Sequence, residues 1–279
     1  MKLSKRVTGK PLYLFAEIDR AREEAVARGL DVVSMGIADP DLPPPDWLYA
    51  LLQEEVRRPG NHRYPDYRGL PEFLDAVVEW MGERFEVGDL DAQTEVITLL
   101  GAKEGVAHMA WAMCDPGDMA LIPEPAYPVY SANCQYAGAD VHYLDLTQEG
   151  NFLPELGSVP EDVARRAKVF YINYPNNPTG ACAPSAFFQE LIAFAKKYEI
   201  AILADNAYSE VYFDENERPQ SILEFPGAKD VCLEFHSFSK TFNMTGWRIG
   251  WAVGNAKLVK ALLTIKSNVD SGQFNAIQH

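Results

Sequence analysis

The sequence predicts an α/β protein, a three-layer α/β/α domain built on a mostly parallel sheet, and two observations carry that expectation. Residues 95–99, 169–172, 200–204 and 231–235 are short runs rich in β-branched, aromatic and other apolar side chains, each closed by turn-forming residues. Such runs read as strands buried on both faces, the pattern of parallel sheets covered by helices. Between them lie stretches with helical spacing: Val106, Met109, Ala110 and Met113 in one, and Leu258, Ala261, Leu262 and Ile265 in another, recur at three- and four-residue steps. A chain of 279 residues that is 47% hydrophobic can bury the core this architecture needs, as one large or two modest domains.

Taken in chain order, each strand-like run delivers a polar cluster to its carboxyl end, where open α/β sheets place ligands. Residues 95–99 lead into Gly101-Ala102-Lys103, which opens the first periodic helix, and a helix start with free N–H groups suits an anion. Residues 169–172 lead into Asn176-Asn177-Pro178-Thr179-Gly180, and residues 200–204 into Asp205-Asn206-Ala207-Tyr208. Residues 231–235 lead into Ser237-Phe238-Ser239-Lys240, followed by Arg248 within Thr245-Gly246-Trp247-Arg248-Ile249-Gly250. A lysine amine can form a Schiff base with an aldehyde, and a fixed arginine can grip a phosphate in a fork of two hydrogen bonds. The pair therefore suits pyridoxal 5'-phosphate.

Composition narrows the partners. With 25 basic and 40 acidic residues the net charge is −15, which opposes nonspecific binding to nucleic acid or an anionic membrane. No long apolar span is visible and residues 1–10 are polar and basic. Cys114, Cys134, Cys182 and Cys232 lack metal or redox spacing and read as reduced cytosolic thiols; the five histidines form no ligand cluster, so no metal is expected. Glycine and proline fall at turns, with no repeat or low-complexity tract.

Several motifs in the right order resemble the fold-type I pyridoxal-phosphate-dependent aminotransferases of class I/II, from about Gly36 to the last residue. Gly101-Ala102-Lys103-Glu104-Gly105, residues 237–254 and Lys266-Ser267-Asn268-Val269-Asp270-Ser271-Gly272 are most similar to the LL-diaminopimelate aminotransferase-like branch. The resemblance implies amino-group transfer between an amino acid and a 2-oxo acid in a ping-pong cycle. It leaves open a carbon–sulfur β-lyase of the same fold, or a cofactor-binding protein without turnover.

By that resemblance Lys240 would carry the cofactor and move the proton at the substrate α-carbon, with burial and the nearby Arg248 lowering its pKa. Asp205 would keep the pyridine nitrogen protonated, and Tyr208 and Asn177 would hydrogen-bond the phenolic oxygen. Gly101, Ala102, Lys103, Ser237, Ser239 and Arg248 would hold the phosphate, Ala102 standing where a hydroxyl residue is frequent. Tyr127 would stack on the ring, Tyr64 would reach the phosphate of a neighbouring subunit in a homodimer, and Ala38 and Asn177 would face the substrate. Residues 1–45, with Pro43-Pro44-Pro45 as junction, would form an N-terminal arm and part of an incomplete small α/β domain. Residues 46–262 would be the large domain, and 263–279 the end of an interdomain helix and the start of the small domain's C-terminal part. By the same resemblance the family's arginine for the substrate α-carboxylate would lie beyond His279, and no residue up to that point is expected to take the role.

Overall fold

The computed structural model describes residues 1–4, 6–8, 14–35 and 39–279. The chain divides into two compact units, residues 1–41 and 42–279. The first contains helix α1 (Leu14–Ala27), which stops at Gly29, a residue with φ of 80° whose N–H bonds back to the Val26 carbonyl.

The second unit holds the remaining elements: α2 (Asp46–Glu55), α3 (Pro71–Phe85), β1 (Val96–Leu99), α4 (Ala102–Met113), β2 (Met119–Glu124), α5 (Val129–Ala137) and β3 (Asp140–Asp145). They continue with α6 (Glu161–Arg166), β4 (Ala167–Ile172), α7 (Ser185–Tyr198), β5 (Ala201–Asp205), β6 (Cys232–Ser237), the single turn α8 (Phe238–Thr241), β7 (Gly250–Gly254) and α9 (Ala256–Val269). The strands form one seven-stranded sheet in the order β1-β7-β6-β5-β4-β2-β3. β7 pairs antiparallel with both neighbours, and the other pairs are parallel. The four runs read from the sequence are β1, β4, β5 and β6, while β2, β3 and β7 complete the sheet.

Alternate residues of each strand enter opposite cores, as the two-residue period of a strand requires. Phe170 and Ile172 of β4 and Ile202 and Ala204 of β5 join one core with Phe73, Val77 and Met81 of α3 and Phe187, Leu191 and Ala195 of α7. Val169, Tyr171, Ala201 and Leu203 face the other, with Val106, Met109 and Ala110 of α4, Val129 and Tyr130 of α5, and Leu258, Val259 and Leu262 of α9. The layers are therefore α3/α7, sheet, and α4/α5/α9. After α9 the chain stays on this body: the Gln278 side chain accepts the Leu70 N–H at 2.8 Å and donates to the Gln273 carbonyl at 2.8 Å.

Helix α4 lies unusually close to the sheet at Gly105. A Cβ there would come within 2.8 Å and 3.0 Å of the Leu99 methyls and 3.0 Å of a Phe235 ring carbon. Leu99 and Phe235 are completely buried and cannot move aside. Gly105→Ala should therefore lower stability by about 1–2 kcal/mol, the overpacking outweighing the better helix propensity of alanine. Urea denaturation checks this, and an unchanged or higher midpoint would refute the close approach.

Candidate active site

The reversed direction of β7 decides which groups meet. In the sheet Leu99 of β1 and Ser237 of β6 both pair with Gly250. The carboxyl ends of β1 and β6 thus flank the amino end of β7, and Arg248, two residues before that strand, falls beside Gly101. Asp205 at the end of β5 pairs with Phe235, and Ile172 at the end of β4 pairs with Ala204. One edge of the sheet therefore collects Gly101, Arg248, Ser237 to Lys240, Asp205 and the loop after β4.

At Gly101 the chain turns with φ of 80°, and a Cβ would lie 2.4 Å from Arg248 Nη2, so only glycine admits the guanidinium this close to the backbone. Arg248 itself adopts φ of 56° and donates from Nη1 to the Thr245 carbonyl at 2.7 Å and from Nη2 to the Leu100 carbonyl at 3.3 Å. Helix α4 starts immediately after Gly101 without a side-chain cap. Its first-turn N–H groups and dipole then join the guanidinium in favouring an anion. Lys103 adds a second cation, its pKa lowered by desolvation and by Arg248, and its ammonium lies 5.9 Å from the centre of the Tyr127 ring. Ser237 Oγ caps α8 by accepting the Ser239 N–H at 3.1 Å, which sets the turn carrying Lys240 at the end of β6.

Asp205 follows Ala201 and Leu203 on the α5 side of the sheet, and there its Oδ2 accepts the Tyr130 hydroxyl at 2.8 Å. Tyr130 is fully buried, stacked on Tyr171 at 5.0 Å and edge-on to Tyr127 at 5.8 Å. Asp205 Oδ1 is buried with no hydrogen-bond partner among the described residues. Burial pushes this carboxyl up to about 6, although the Tyr130 hydroxyl, the Ala207 N–H and the His236 ring each pull it down. Behind it, His236 stacks on Trp251 at 4.9 Å and meets Glu234 Oε1 at 2.7 Å, and Glu234 also accepts Ser221 Oγ and the Ile222 N–H. Next to Asp205, Asn173 donates to its carbonyl at 2.7 Å and accepts the Asn177 N–H at 2.6 Å, while Asn177 Nδ2 donates to the Tyr208 hydroxyl at 3.3 Å.

These side chains fit pyridoxal 5'-phosphate on two counts. A buried carboxylate oxygen without a partner calls for a cationic N–H donor, which a protonated pyridine nitrogen provides. The uncapped helix start beside Arg248 calls for a dianion. Tyr130, Asn173 and His236 were not singled out by the sequence reading; Tyr130, one helical turn after Tyr127, could have been found from the shared parity of Asp205, Leu203 and Ala201. Tyr64, by contrast, stands on the loop after the short turn Pro59–His62 with 89% of its surface exposed. Ala38 lies outside the described residues.

The Aminotransferase class I and II family model matches residues 31–277. The chain belongs to that family. It is 52% identical to the LL-diaminopimelate aminotransferase of Aquifex aeolicus and 51% identical to that of Nitratidesulfovibrio vulgaris strain Miyazaki F, in each case over 277 residues, 99% of this chain and 71% of the relative. Among solved structures it superposes on substrate-bound BacF from Bacillus subtilis with a TM-score of 0.94 and 33% identity, covering 100% of this chain and 70% of that one. The chain is thus a pyridoxal-phosphate-dependent aminotransferase acting on amino acid and 2-oxo acid substrates. Among the described residues no helix is long and apolar enough to cross a membrane.

The Asp205 carboxyl gives the ligand-free aminotransferase a pH signature. The folded protein holds its proton at about 6 against an ordinary 3.8, so ionising it in place costs about 3 kcal/mol relative to the unfolded chain. That cost is absent below pH ~4 and fully present above pH ~6. Asp205→Asn should therefore be more stable than the native sequence at pH 7, and the difference should shrink towards pH 4. Chemical denaturation of both ligand-free proteins across this range tests it, and a pH-independent difference would exclude a perturbed Asp205.

Proposed function

We propose that this enzyme transfers the amino group of LL-diaminopimelate to 2-oxoglutarate, with Lys240, Asp205 and Tyr208 as its catalytic residues. The observation that carries the site is Asp205, whose unpartnered buried oxygen lies at the same sheet edge as Lys240 and Arg248. The substrate reading is supported by relatives of that name at 51–52% identity over 99% of the chain.

When bound, the cofactor supplies an aldehyde that accepts the amine and an electron-withdrawing ring that eases loss of the α-proton. Lys240 would carry the aldehyde covalently and, once displaced by substrate, move the proton at the substrate α-carbon. Asp205 would hold a proton on the ring nitrogen, with Tyr130 keeping the carboxylate oriented and ionised. Tyr208 and Asn177 would bond the phenolic oxygen, and Tyr127 would cover the ring. Gly101, Ala102, Lys103, Ser237, Ser239 and Arg248 would bind the phosphate. Asn177 would face the substrate. In this reading residues 46–262 form the large domain, residues 263–279 lead towards the small one, and four free thiols suit a cytosolic setting.

Borohydride reduction in the presence of the cofactor, followed by peptide mapping, should label Lys240, and Lys240→Ala should lose the label and nearly all transamination. A label on Lys103 or Lys266 would overturn the assignment. In a panel of amino donors with 2-oxoglutarate, LL-diaminopimelate should give the highest kcat/KM; release of ammonia with pyruvate would mark a lyase instead.

The exposed Tyr64 supports a homodimer in which each subunit lends this tyrosine to its neighbour's phosphate. Sedimentation should then show a dimer, and Tyr64→Phe should keep it while weakening cofactor retention by roughly 10-fold, the loss of one hydrogen bond to a charged group. A monomer that retains the cofactor equally well with phenylalanine at this position would end the proposal.

A further inference from the structure

Lys266 is completely buried, and nothing in the site described above uses it. Its ammonium bonds both Asp270 oxygens at 3.1 and 3.0 Å and Glu104 Oε2 at 3.4 Å. Glu104 Oε2 also accepts the Leu100 N–H at 3.1 Å, and Glu104 Oε1 meets His108 Nδ1 at 2.7 Å. On the other side of the same residue, the Leu100 carbonyl accepts Arg248 Nη2 at 3.3 Å. Leu100, immediately before the Gly101 turn, is therefore gripped at its N–H by an anion and at its carbonyl by a cation.

The same C-terminal segment reaches Arg248 from behind. Asp270 Oδ1 accepts the Gly272 N–H at 2.7 Å, which shapes the chain so that Gln273 Nε2 donates to the Arg248 carbonyl at 2.8 Å. Residues 266–273 thus touch both halves of the anion cradle: the 100–101 turn through Glu104, and Arg248 through Gln273. A buried ion pair adds little stability over an apolar pair of the same volume. What it adds is direction, because each oxygen is committed to a particular donor. Lys266 also offsets the charge of Glu104, which allows an anion to hold the Leu100 N–H without repelling a dianion from the turn. Glu104, His108 and Asp270 could together offer ligand atoms to a metal, but the Lys266 ammonium bonds two of the three.

We propose that Lys266, Asp270, Glu104 and Gln273 are positioning residues for phosphate: they fix the Leu100–Gly101 turn against Arg248, so that a phosphate monoester meets backbone and guanidinium donors already at bonding separation. This rests on the reading of Gly101 to Lys103 and Arg248 as the phosphate site.

Absorbance titration of the ligand-free protein with pyridoxal 5'-phosphate and with pyridoxal, which lacks the phosphate, isolates the effect. Glu104→Ala frees the Leu100 N–H and should weaken binding of the phosphate form on the order of tenfold, leaving pyridoxal unchanged. Glu104→Gln, whose amide oxygen still accepts that N–H, should restore most of the difference. Asp270→Asn, at the far end of the cluster, should reduce the preference about threefold. If Glu104→Ala shows no cooperative melting transition, Asp270→Asn decides alone. An equal loss for both ligands, or an unchanged preference, overturns the clamp. A native protein with no preference for the phosphate form overturns the cradle itself, which separates the two failures.

Discussion

The site depends on one reversed strand. A purely parallel sheet would bring only strand carboxyl ends to the ligand edge, and a residue preceding a strand would lie at the opposite edge. Placing β7 antiparallel between β1 and β6 puts Arg248 at the carboxyl-end edge, against the glycine that follows β1. The left-handed backbone at Gly101 and Arg248 then turns both segments towards each other. The approach of the guanidinium to the Gly101 turn is thus a consequence of strand direction joined to two local conformations, and the helix that starts at Ala102 inherits its place from the close approach of Gly105 to the sheet.

The electrostatics follow the same economy of placement. On one face of the sheet, Glu234 and His236 form a satisfied pair, each carboxylate oxygen committed to a named donor. On the other face Asp205 has one oxygen committed to Tyr130 and the other to no described protein group. Two buried carboxylates on adjacent strands therefore play opposite parts: Glu234 is closed within the protein, and Asp205 is left open. The difference comes from parity, because Glu234 points to the α3/α7 layer and Asp205 to the α4/α5 layer that borders the ligand edge.

Four strands and every polar cluster at their ends were legible in the sequence, since continuous apolar runs broken by turn residues are local signals. Arg248 was singled out in the sequence while the strand that follows it was not, because Gly250 to Gly254 is short and glycine-bounded and its direction is a property of the whole sheet. β2 and β3 went unread for other reasons: the apolar run of β2, Met119 to Ile122, is cut short by Pro123, which demotes it as a strand, and β3 is polar at the sheet margin with no continuous apolar run. Tyr130 and Lys266 act through partners 75 and 162 residues away, and no local pattern encodes such contacts. Helix α9 shows the limit of periodicity: its buried face includes Lys266 where the apolar pattern pointed to Ile265, because an ion-paired ammonium can occupy a core position that hydrophobicity alone would not assign.

The open oxygen of Asp205 reaches beyond chemistry to the lifetime of the polypeptide. A ligand that brings a cation to a carboxylate held ionised at a cost binds the native state alone, and its binding energy adds to the folding free energy by mass action. The newly synthesised chain is therefore at its most vulnerable before it meets its cofactor, when transient opening exposes it to proteases and to aggregation. Abundance of the enzyme in a cell would then follow vitamin supply through the survival of the loaded form.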